Sequence, residues 1–525
     1  MVRPIAQISF WVDENSLQDC KPPEGFHINK SLDGKASRHN SQEFMDIPLY
    51  SGQSISVGRD HHMNDVSINH PYVSRAHFVI YSIIFDPHDD QIHPPMIYVR
   101  DCQSLEGTYV DGLCIGNKEK GPSPGFYLSR DVVVTIKPHW KFRVSLLDQQ
   151  DLKSPLTAIQ LKESSLFGNR YMISNRVLGS GAFASVHLAV DVKTGKQLAC
   201  KIHDLDHLRR FINPPDLIQR ILDETDILGK LRHPNLPAFE YAFRSRHTLY
   251  TFTELATGGD LFSMRILRGT FTEQDVKLVV LQIVNALKYL HQGGIAHRDL
   301  KPENVLFSLG PDVTGRIIVS DLGFAKSKAS GRMRSQVGTE QYMAPEVEYG
   351  QNHSLAVDIW SLGMIVVFLL APDHLITPSG LMKRSQAAIN GWIDSIFEDP
   401  SLQNISQQCQ EFVKTCLMFE PARRINAPLA KRHPWFQKDL DKGHLKFRMD
   451  ENTKTWKPFH SISPPVQQLP DVETAIHSNE LVDADVSRSL ESPTNLGERS
   501  FSPDLGTNSS QISPYFVRMD SIGNL

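Results

Sequence analysis

The chain has 525 residues, a formal net charge of −4, 40% hydrophobic residues and 22% charged residues. At roughly 100–200 residues per domain this length allows two to four domains, and the composition is that of an ordinary globular protein. The mild acidity excludes bulk attraction to nucleic acid or an anionic membrane, and no stretch reaches the ~20 apolar residues a membrane helix needs.

At the N-terminus, Met1 to Val12 is soon followed by Asp13 and Glu14 and lacks the apolar core of a secretory signal. The expected location is therefore the cytosol or the nucleus. The six cysteines contain no Cys-x-x-Cys pair, which argues against zinc sites and disulfide frameworks. Cys409 and Cys416 read as buried thiols on one helix face.

Residues 1–148 read as an all-β sandwich. Ile5–Val12, Ser54–Val57, Phe78–Phe85, Ile97–Arg100 and Val132–Lys137 are rich in β-branched and aromatic residues, with Pro, Gly, Asn and Asp between them. Asp13 to Met45 reads as an extra loop within this domain. Residues 149–170 read as a linker. From Tyr171 to Phe436 strands come first and helices follow, an α+β pattern. Glu273–His291 carries Val276, Val279, Val280, Ile283, Leu287 and Leu290 at helical spacing. Met364–Ala371 reads as a buried helix. Residues 437–525 are rich in Ser, Pro and Asn, and they hold too little apolar surface to offset their ordering entropy, so a disordered tail is expected.

The chemistry-bearing motifs lie in the second domain. In Leu178-Gly-Ser-Gly-Ala-Phe-Ala-Ser-Val186, Gly179 and Gly181 let backbone amides approach phosphates, and Ala184 stands where a third glycine is usual. Leu198-Ala199-Cys-Lys201 puts a lysine on a strand, within reach of α- and β-phosphates. Glu224 lies nine residues before His233-Pro-Asn235, where a helix carboxylate can pair with that lysine. In His297-Arg-Asp-Leu-Lys-Pro-Glu-Asn304, Asp299 is the expected catalytic base and Asn304 a magnesium ligand. Asp321, in Asp-Leu-Gly323, is the second magnesium ligand. Ala344-Pro-Glu346 closes the segment.

This ordered set is identified as that of the eukaryotic protein kinase family. The resemblance implies a bilobal fold, ATP and Mg2+ as requirements, and transfer of the γ-phosphate to protein serine or threonine. It implies a nucleotide-binding set of Leu178, Gly179, Gly181, Val186, Ala199, Lys201, Glu254, Ala256 and Asp260, with Thr253 as gatekeeper. Lys301 would neutralise the transferred group, Glu346 would pair with Arg424, and Asp358 would anchor the catalytic loop. Arg298 implies activation by loop phosphorylation, expected at Ser335 of Gly331–Glu340, with Thr339 as the competing site. Leu322 replaces the usual Phe, and Pro372–Glu398 lacks the usual Pro-Phe landmark. Asp260 and Glu303 resemble the acidic pair that selects Arg-x-x-Ser/Thr substrates.

In the first domain, Gly58-Arg59, Ser74-Arg75-Ala-His77, Gly107-Thr108 and Asp111-Gly112 fall in turns, where a sandwich collects ligand contacts. Arg59 and Ser74 could grip a phosphate, and His77 would brace the site. This pattern resembles the forkhead-associated domain, which implies a phosphothreonine site at Arg59, Ser74 and Arg75. Glu106 stands where that family usually has Asn. One such module before a basophilic kinase resembles the DNA-damage and meiotic checkpoint kinases, most like the meiosis-specific kinase of fungi. The implied partners are protein substrates, a phosphothreonine-bearing adaptor and a transient second copy, with no direct nucleic acid and no membrane. Two alternatives are a kinase outside checkpoint signalling with a vestigial module, and a pseudokinase adaptor. The latter predicts loss of Lys201, Asp299, Asn304 or Asp321, and all four are present.

Overall fold

The computed structural model describes residues 3–12, 26–28, 35–39, 42–84, 95–119, 123–147, 156–180, 183–210, 214–311, 315–322, 326–327, 340–348, 354–376, 385–437, 439–454, 456 and 466–472. Thirteen strands build the N-terminal sandwich: β1 (Ala6–Val12), β2 (Phe26–Ile28), β3 (Lys35–His39), β4 (Gln42–Leu49), β5 (Ser54–Gly58), β6 (Val66–Ile68), β7 (Phe78–Ile83), β8 (Met96–Asp101), β9 (Thr108–Val110), β10 (Leu113–Gly116), β11 (Phe126–Tyr127), β12 (Val132–Ile136) and β13 (Trp140–Leu146). One sheet runs β10-β9-β12-β13-β1-β4-β3 and the other β11-β8-β7-β5-β6-β2. Alternate side chains such as Ile8, Phe10, Val57, Phe78, Ile80, Val99, Val134 and Phe142 fill the space between them.

Strand β7 departs from simple alternation, because all six of its residues are buried. Phe78 and Ile80 face the sandwich core. Val79, Tyr81 and Ile83 join Met96, Tyr98 and Tyr127 in a second cluster that includes Leu178 and Leu188 of the following domain. A strand buried on both faces reads as a continuous apolar run, as Phe-Val-Ile-Tyr does. Tyr81 donates its hydroxyl hydrogen to Thr257 Oγ1 at 3.2 Å, and the Tyr127 amide donates to Gln197 Oε1 at 2.9 Å.

The second domain has two lobes. The smaller comprises β14 (Tyr171–Ser180), β15 (Ser185–Asp191), β16 (Lys196–Asp204), β17 (Phe239–Arg244) and β18 (Thr248–Glu254), with helices α2 (Leu205–Leu208) and α3 (Pro214–Lys230). The larger contains α4 (Leu261–Arg268), α5 (Glu273–Gln292), the short strands β19 (Ile295–Ala296), β20 (Val305–Phe307), β21 (Ile317–Val319) and β22 (Lys326–Ser327), and helices α6 (Pro345–Glu348), α7 (Ala356–Leu370), α8 (Gln386–Phe397), α9 (Gln407–Cys416) and α10 (Ala427–Ala430). Thr272 caps α5 by accepting from the Asp275 amide, and the apolar stripe read from the sequence is its buried face. Helix α7 is buried almost throughout, and Cys409 and Cys416 are both buried on α9. Among the described residues no helix is long and apolar enough to cross a membrane.

Three expectations are corrected. The stretch 13–45 is not simply a loop: it contributes β2, β3 and the start of β4, because each finds a sheet edge to extend. The linker folds into α1 (Ala158–Ser165), and its buried Glu163 accepts from the Tyr250 hydroxyl at 2.8 Å. The tail contributes α11 (Asp439–Thr453) and β23 (Val466–Gln468), the latter paired with β17. The expected disorder of 473–525 and the positions of Gly181, Ser335 and Thr339 lie outside the described residues.

Candidate active site

Pairing of β15, β16 and β18 sets the ceiling of the cleft. Val186 lies opposite Lys201, and Ala199 opposite Thr253. Lys201 Nζ lies 3.1 Å from Glu224 Oε1 on α3 and 2.9 Å from Asp321 Oδ1 after β21. Three elements far apart in sequence thus converge on one ammonium. Burial works to lower the Lys201 pKa, but the two carboxylates outweigh it and hold the group well above its ordinary value. Burial raises Glu224, the deeper of the two acids.

Below this, the catalytic loop hangs from Asp358, a buried residue in the first turn of α7. Its carboxylate accepts the amides of His297 and Arg298 at 2.9 and 2.8 Å, and His291 Nε2 lies 2.8 Å away. Burial opposes its charge, yet the His291 hydrogen bond and the neighbouring donors leave it titrating below the ordinary carboxylate value. This anchor matters because Arg298 and Asp321 hold left-handed backbone, with φ of 72° and 61°. Such conformations cost about 1–3 kcal/mol each and persist only when their surroundings fix them.

Asp299 is held from two sides. Asn304 Nδ2 donates to its carbonyl at 2.7 Å and to Oδ2 at 3.1 Å. Lys301 Nζ lies 3.1 Å from the same Oδ2. Because the Asn304 amide nitrogen is spent on Asp299, its Oδ1 is the atom left to meet a cation. With the 42%-exposed Asp321 carboxylate, this is a hard oxygen donor set. Magnesium suits it, since that ion commonly binds through one or two protein oxygens plus substrate phosphates.

Glu346 and Arg424 form a two-pronged pair at 2.6 and 2.7 Å, both buried. Leu322 is buried in the main core, so an apolar residue fills the usual Phe position. Leu178 and Ala256 are nearly buried, while open space surrounds Gly179. Glu254 is tied by its side chain to Arg316 and to the Ala238 amide. Asp260 caps α4, accepting from the Ser263 amide and hydroxyl, both at 2.7 Å. Burial raises its pKa to about 6, with Glu303 adding to the rise. Glu303 is raised by its own burial, and its Oε2 has no hydrogen-bond partner among the described residues. Arg298 Nε and Nη2 are likewise buried and unpartnered there, and burial with Arg220 nearby lowers its pKa to about 10.

At the sandwich end, Arg59 and Arg75 are exposed on adjacent turns, joined where the Arg59 amide donates to the Ser74 carbonyl at 2.8 Å. Ser74 Oγ accepts from the Leu105 amide at 3.0 Å. Buried His77 takes the Ser74 amide on Nδ1 at 3.2 Å and faces the Gly107 carbonyl with Nε2 at 3.3 Å. Nδ1 is therefore the acceptor and Nε2 carries the proton. Burial keeps the ring below its ordinary pKa, which suits this neutral tautomer. Glu106 is exposed beside Gly107. Sequence reasoning missed Asp101, which braces the loop through Ser104 at 2.5 Å and Thr108 at 2.6 Å, and it missed His291 behind Asp358. A lone acid at a strand end carries no pattern that marks such a role.

An enclosed catalytic loop, a lysine shared by two acids and a preceding sandwich define an enzyme of the protein kinase class fused to a forkhead-associated module. Residues 172–436 match the protein kinase domain family and residues 55–122 the FHA domain. The chain belongs to the protein kinase family, as a serine/threonine-protein kinase carrying a forkhead-associated domain. It is 32% identical to the meiosis-specific serine/threonine-protein kinase mek1 of Schizosaccharomyces pombe, over 76% of this chain and 84% of that protein. It is 30% identical to MEK1 of Saccharomyces cerevisiae, over 75% and 82% of the two chains. The crystal structure of Rad53 1-466 in complex with AMP-PNP is similar with a TM-score of 0.39 and 25% identity, covering 73% of this chain and 91% of that one.

Proposed function

We propose that this kinase acts in DNA-damage or meiotic recombination checkpoint signalling, phosphorylating Arg-x-x-Ser/Thr sites with ATP and magnesium after its forkhead-associated module engages a phosphothreonine partner. The observation that carries the catalytic part is Lys201 held between Glu224 and Asp321 above an Asp299 fixed by Asn304. Magnesium, when bound, screens the phosphate charge. Asn304 and Asp321 would hold it, and Lys201 would orient the α- and β-phosphates of the substrate nucleotide. Leu178, Val186, Ala199 and Ala256 would enclose the adenine. Asp299 orients the acceptor hydroxyl and takes its proton, and Lys301 stabilises charge on the group in flight.

Asp260 and Glu303 support the arginine preference, since burial opposes the charge of both carboxyls and a guanidinium beside them would offset that opposition. The unpartnered Arg298 nitrogens, with Arg220 near, suit a phosphate on Ser335 or Thr339. Capture of one chain's phosphothreonine by another's module would bring two kinases together for that step. The proposed site of action is the nucleus. Resemblance to the mek1 and MEK1 kinases favours the meiotic branch.

Two measurements test this. In the first, Asp260→Asn keeps the helix cap, because Asn caps as well as Asp, and removes the charge. It should weaken kcat/KM for an Arg-x-x-Ser peptide about tenfold or more and leave an arginine-free peptide unaffected. Equal loss for both peptides refutes the arginine site. In the second, calorimetry of the full chain with a phosphothreonine peptide should show binding that Arg59→Ala abolishes. Absence of binding by the unaltered chain refutes the module's role.

A further inference from the structure

The segment after α11 reaches the smaller lobe and completes its sheet. Without it, β17 would be an edge strand presenting unpaired amides and carbonyls. Strand β23 pairs parallel with it, Ala242 against Val466 and Arg244 against Gln468. The Leu469 amide then donates to the Arg244 carbonyl at 2.7 Å. The Tyr241 hydroxyl donates to Gln467 Oε1 at 2.9 Å. Asp471 lies 3.9 Å from Arg246 and 3.8 Å from His247.

Three apolar residues at a spacing of three anchor the segment. Val466 packs against the cluster of Leu205, Leu208, Ile221 and Leu249, which also receives Leu217, Ile218 and Leu222 of α3. Leu469 is buried with Phe167, Phe243, Tyr250 and Phe252 on the far side of the sheet. Val472 is buried beyond it. The receptor is therefore a groove with a hydrogen-bonding edge, two apolar pockets and a basic end. That is the design of β-strand addition, in which main-chain bonds give affinity and pockets give selectivity. One pocket is walled by α3, the helix that carries Glu224 to Lys201.

We propose that the edge of β17, with the α3-walled pocket on one face of the sheet and the Phe243 pocket on the other, is a peptide-docking site for an extended Val-x-x-Leu-x-x-Val segment, filled in cis by residues 466–472, and that its occupancy holds α3 in the position that pairs Glu224 with Lys201. Withdrawal of the segment removes Val466 from the wall of α3 and frees the helix to swing outward. The fraction of chains with the pair formed, and the rate with it, falls accordingly. The inference rests on the role given to the Lys201–Glu224 pair above, but docking itself does not.

The experiment compares a chain ending at Val472 with one ending at Pro465, together with full-length Val466→Asp/Leu469→Asp. Phosphoryl transfer, hydrogen exchange of α3 and melting temperature are measured for each. A synthetic peptide of residues 464–474 is then added. The chain ending at Pro465 and the double variant should each lose about tenfold in kcat/KM, corresponding to an α3-in population near one in ten. Their α3 amides should exchange faster. The peptide should bind the chain ending at Pro465 and restore both activity and protection. Activity within about twofold of the chain ending at Val472, with unchanged exchange, overturns the proposal. So does a loss that the peptide cannot rescue, accompanied by a lower melting temperature, which would make the strand mere scaffold. If the full chain transfers no phosphate at all, the catalytic reading fails, while peptide binding and α3 protection still report on docking.

Discussion

Replacing Glu346 by Ala isolates one buried charge and so carries a definite cost. The Arg424 side chain is 0% exposed and its partner 3%. Removing the carboxylate deletes two charge-assisted hydrogen bonds, at 2.6 and 2.7 Å, and leaves the guanidinium without a counter-charge. Breaking a buried pair in this way costs about 3–5 kcal/mol. The carbonyls of Met418, Ala356 and Phe419 still accept from Arg424, which places the cost nearer about 3 kcal/mol on that scale. For a domain of this size each kcal/mol lowers the melting temperature by about 2–4 °C, so the kinase transition should fall by about 6–12 °C. Scanning calorimetry of the full chain reads this directly, with the sandwich transition as internal control. Glu346→Ala/Arg424→Met should recover part of the loss, because a flexible apolar chain refills the space without a charge. A shift below about 2 °C for the single variant would refute the reasoning, since it would mean that the guanidinium finds water or another acid.

Three further outcomes are expected. Asp260 is raised by burial to about 6, so it is charged above that pH and loses its charge as pH falls through it, while Glu303 is raised in the same direction by its own burial. The kcat/KM for an Arg-x-x-Ser peptide should therefore decline below about pH 6, and a pH profile with an arginine-free peptide should lack that limb. At Gly58 an added Cβ would lie 2.3 Å from the Arg75 carbonyl oxygen. Gly58→Ala should thus destabilise the sandwich by about 1–3 kcal/mol and weaken phosphothreonine binding, as read by calorimetry, while short-peptide phosphorylation persists. Tyr81→Ala removes the ring that meets Thr257 and should expose the amides of residues 254–259 to faster hydrogen exchange, with the phosphothreonine site intact.

The catalytic set was legible because its chemistry demands particular residue types at fixed separations, and neither helix propensity nor core packing produces that pattern by chance. Helix α5 was legible because its buried stripe, Val276 to Leu290, repeats over about four turns. The docking of β7 was half legible. Val79, Tyr81 and Ile83 announce that the outer face of the sheet is covered, but alternation cannot say by what. Asp260 shows two demands meeting at one residue, since Asp-x-x-Ser is also a helix-cap pattern and the structure spends the carboxylate on that cap. Residues 466–472 were not legible. Val-Gln-Gln-Leu-Pro-Asp-Val is too short for periodicity, and the Tyr241 hydroxyl that meets Gln467 stands 226 positions away in the chain. Its order comes from an unpaired strand edge, a tertiary fact that local composition does not carry.

The account turns on Asp299 as the group that receives the hydroxyl proton. Transfer of the ATP γ-phosphate to an Arg-x-x-Ser peptide, by the full chain and by Asp299→Asn, tests it most directly. The account predicts measurable turnover by the unaltered chain and a loss of about 10²–10⁴-fold in the variant, with melting temperature and nucleotide binding retained. Turnover by Asp299→Asn near that of the unaltered chain would contradict it.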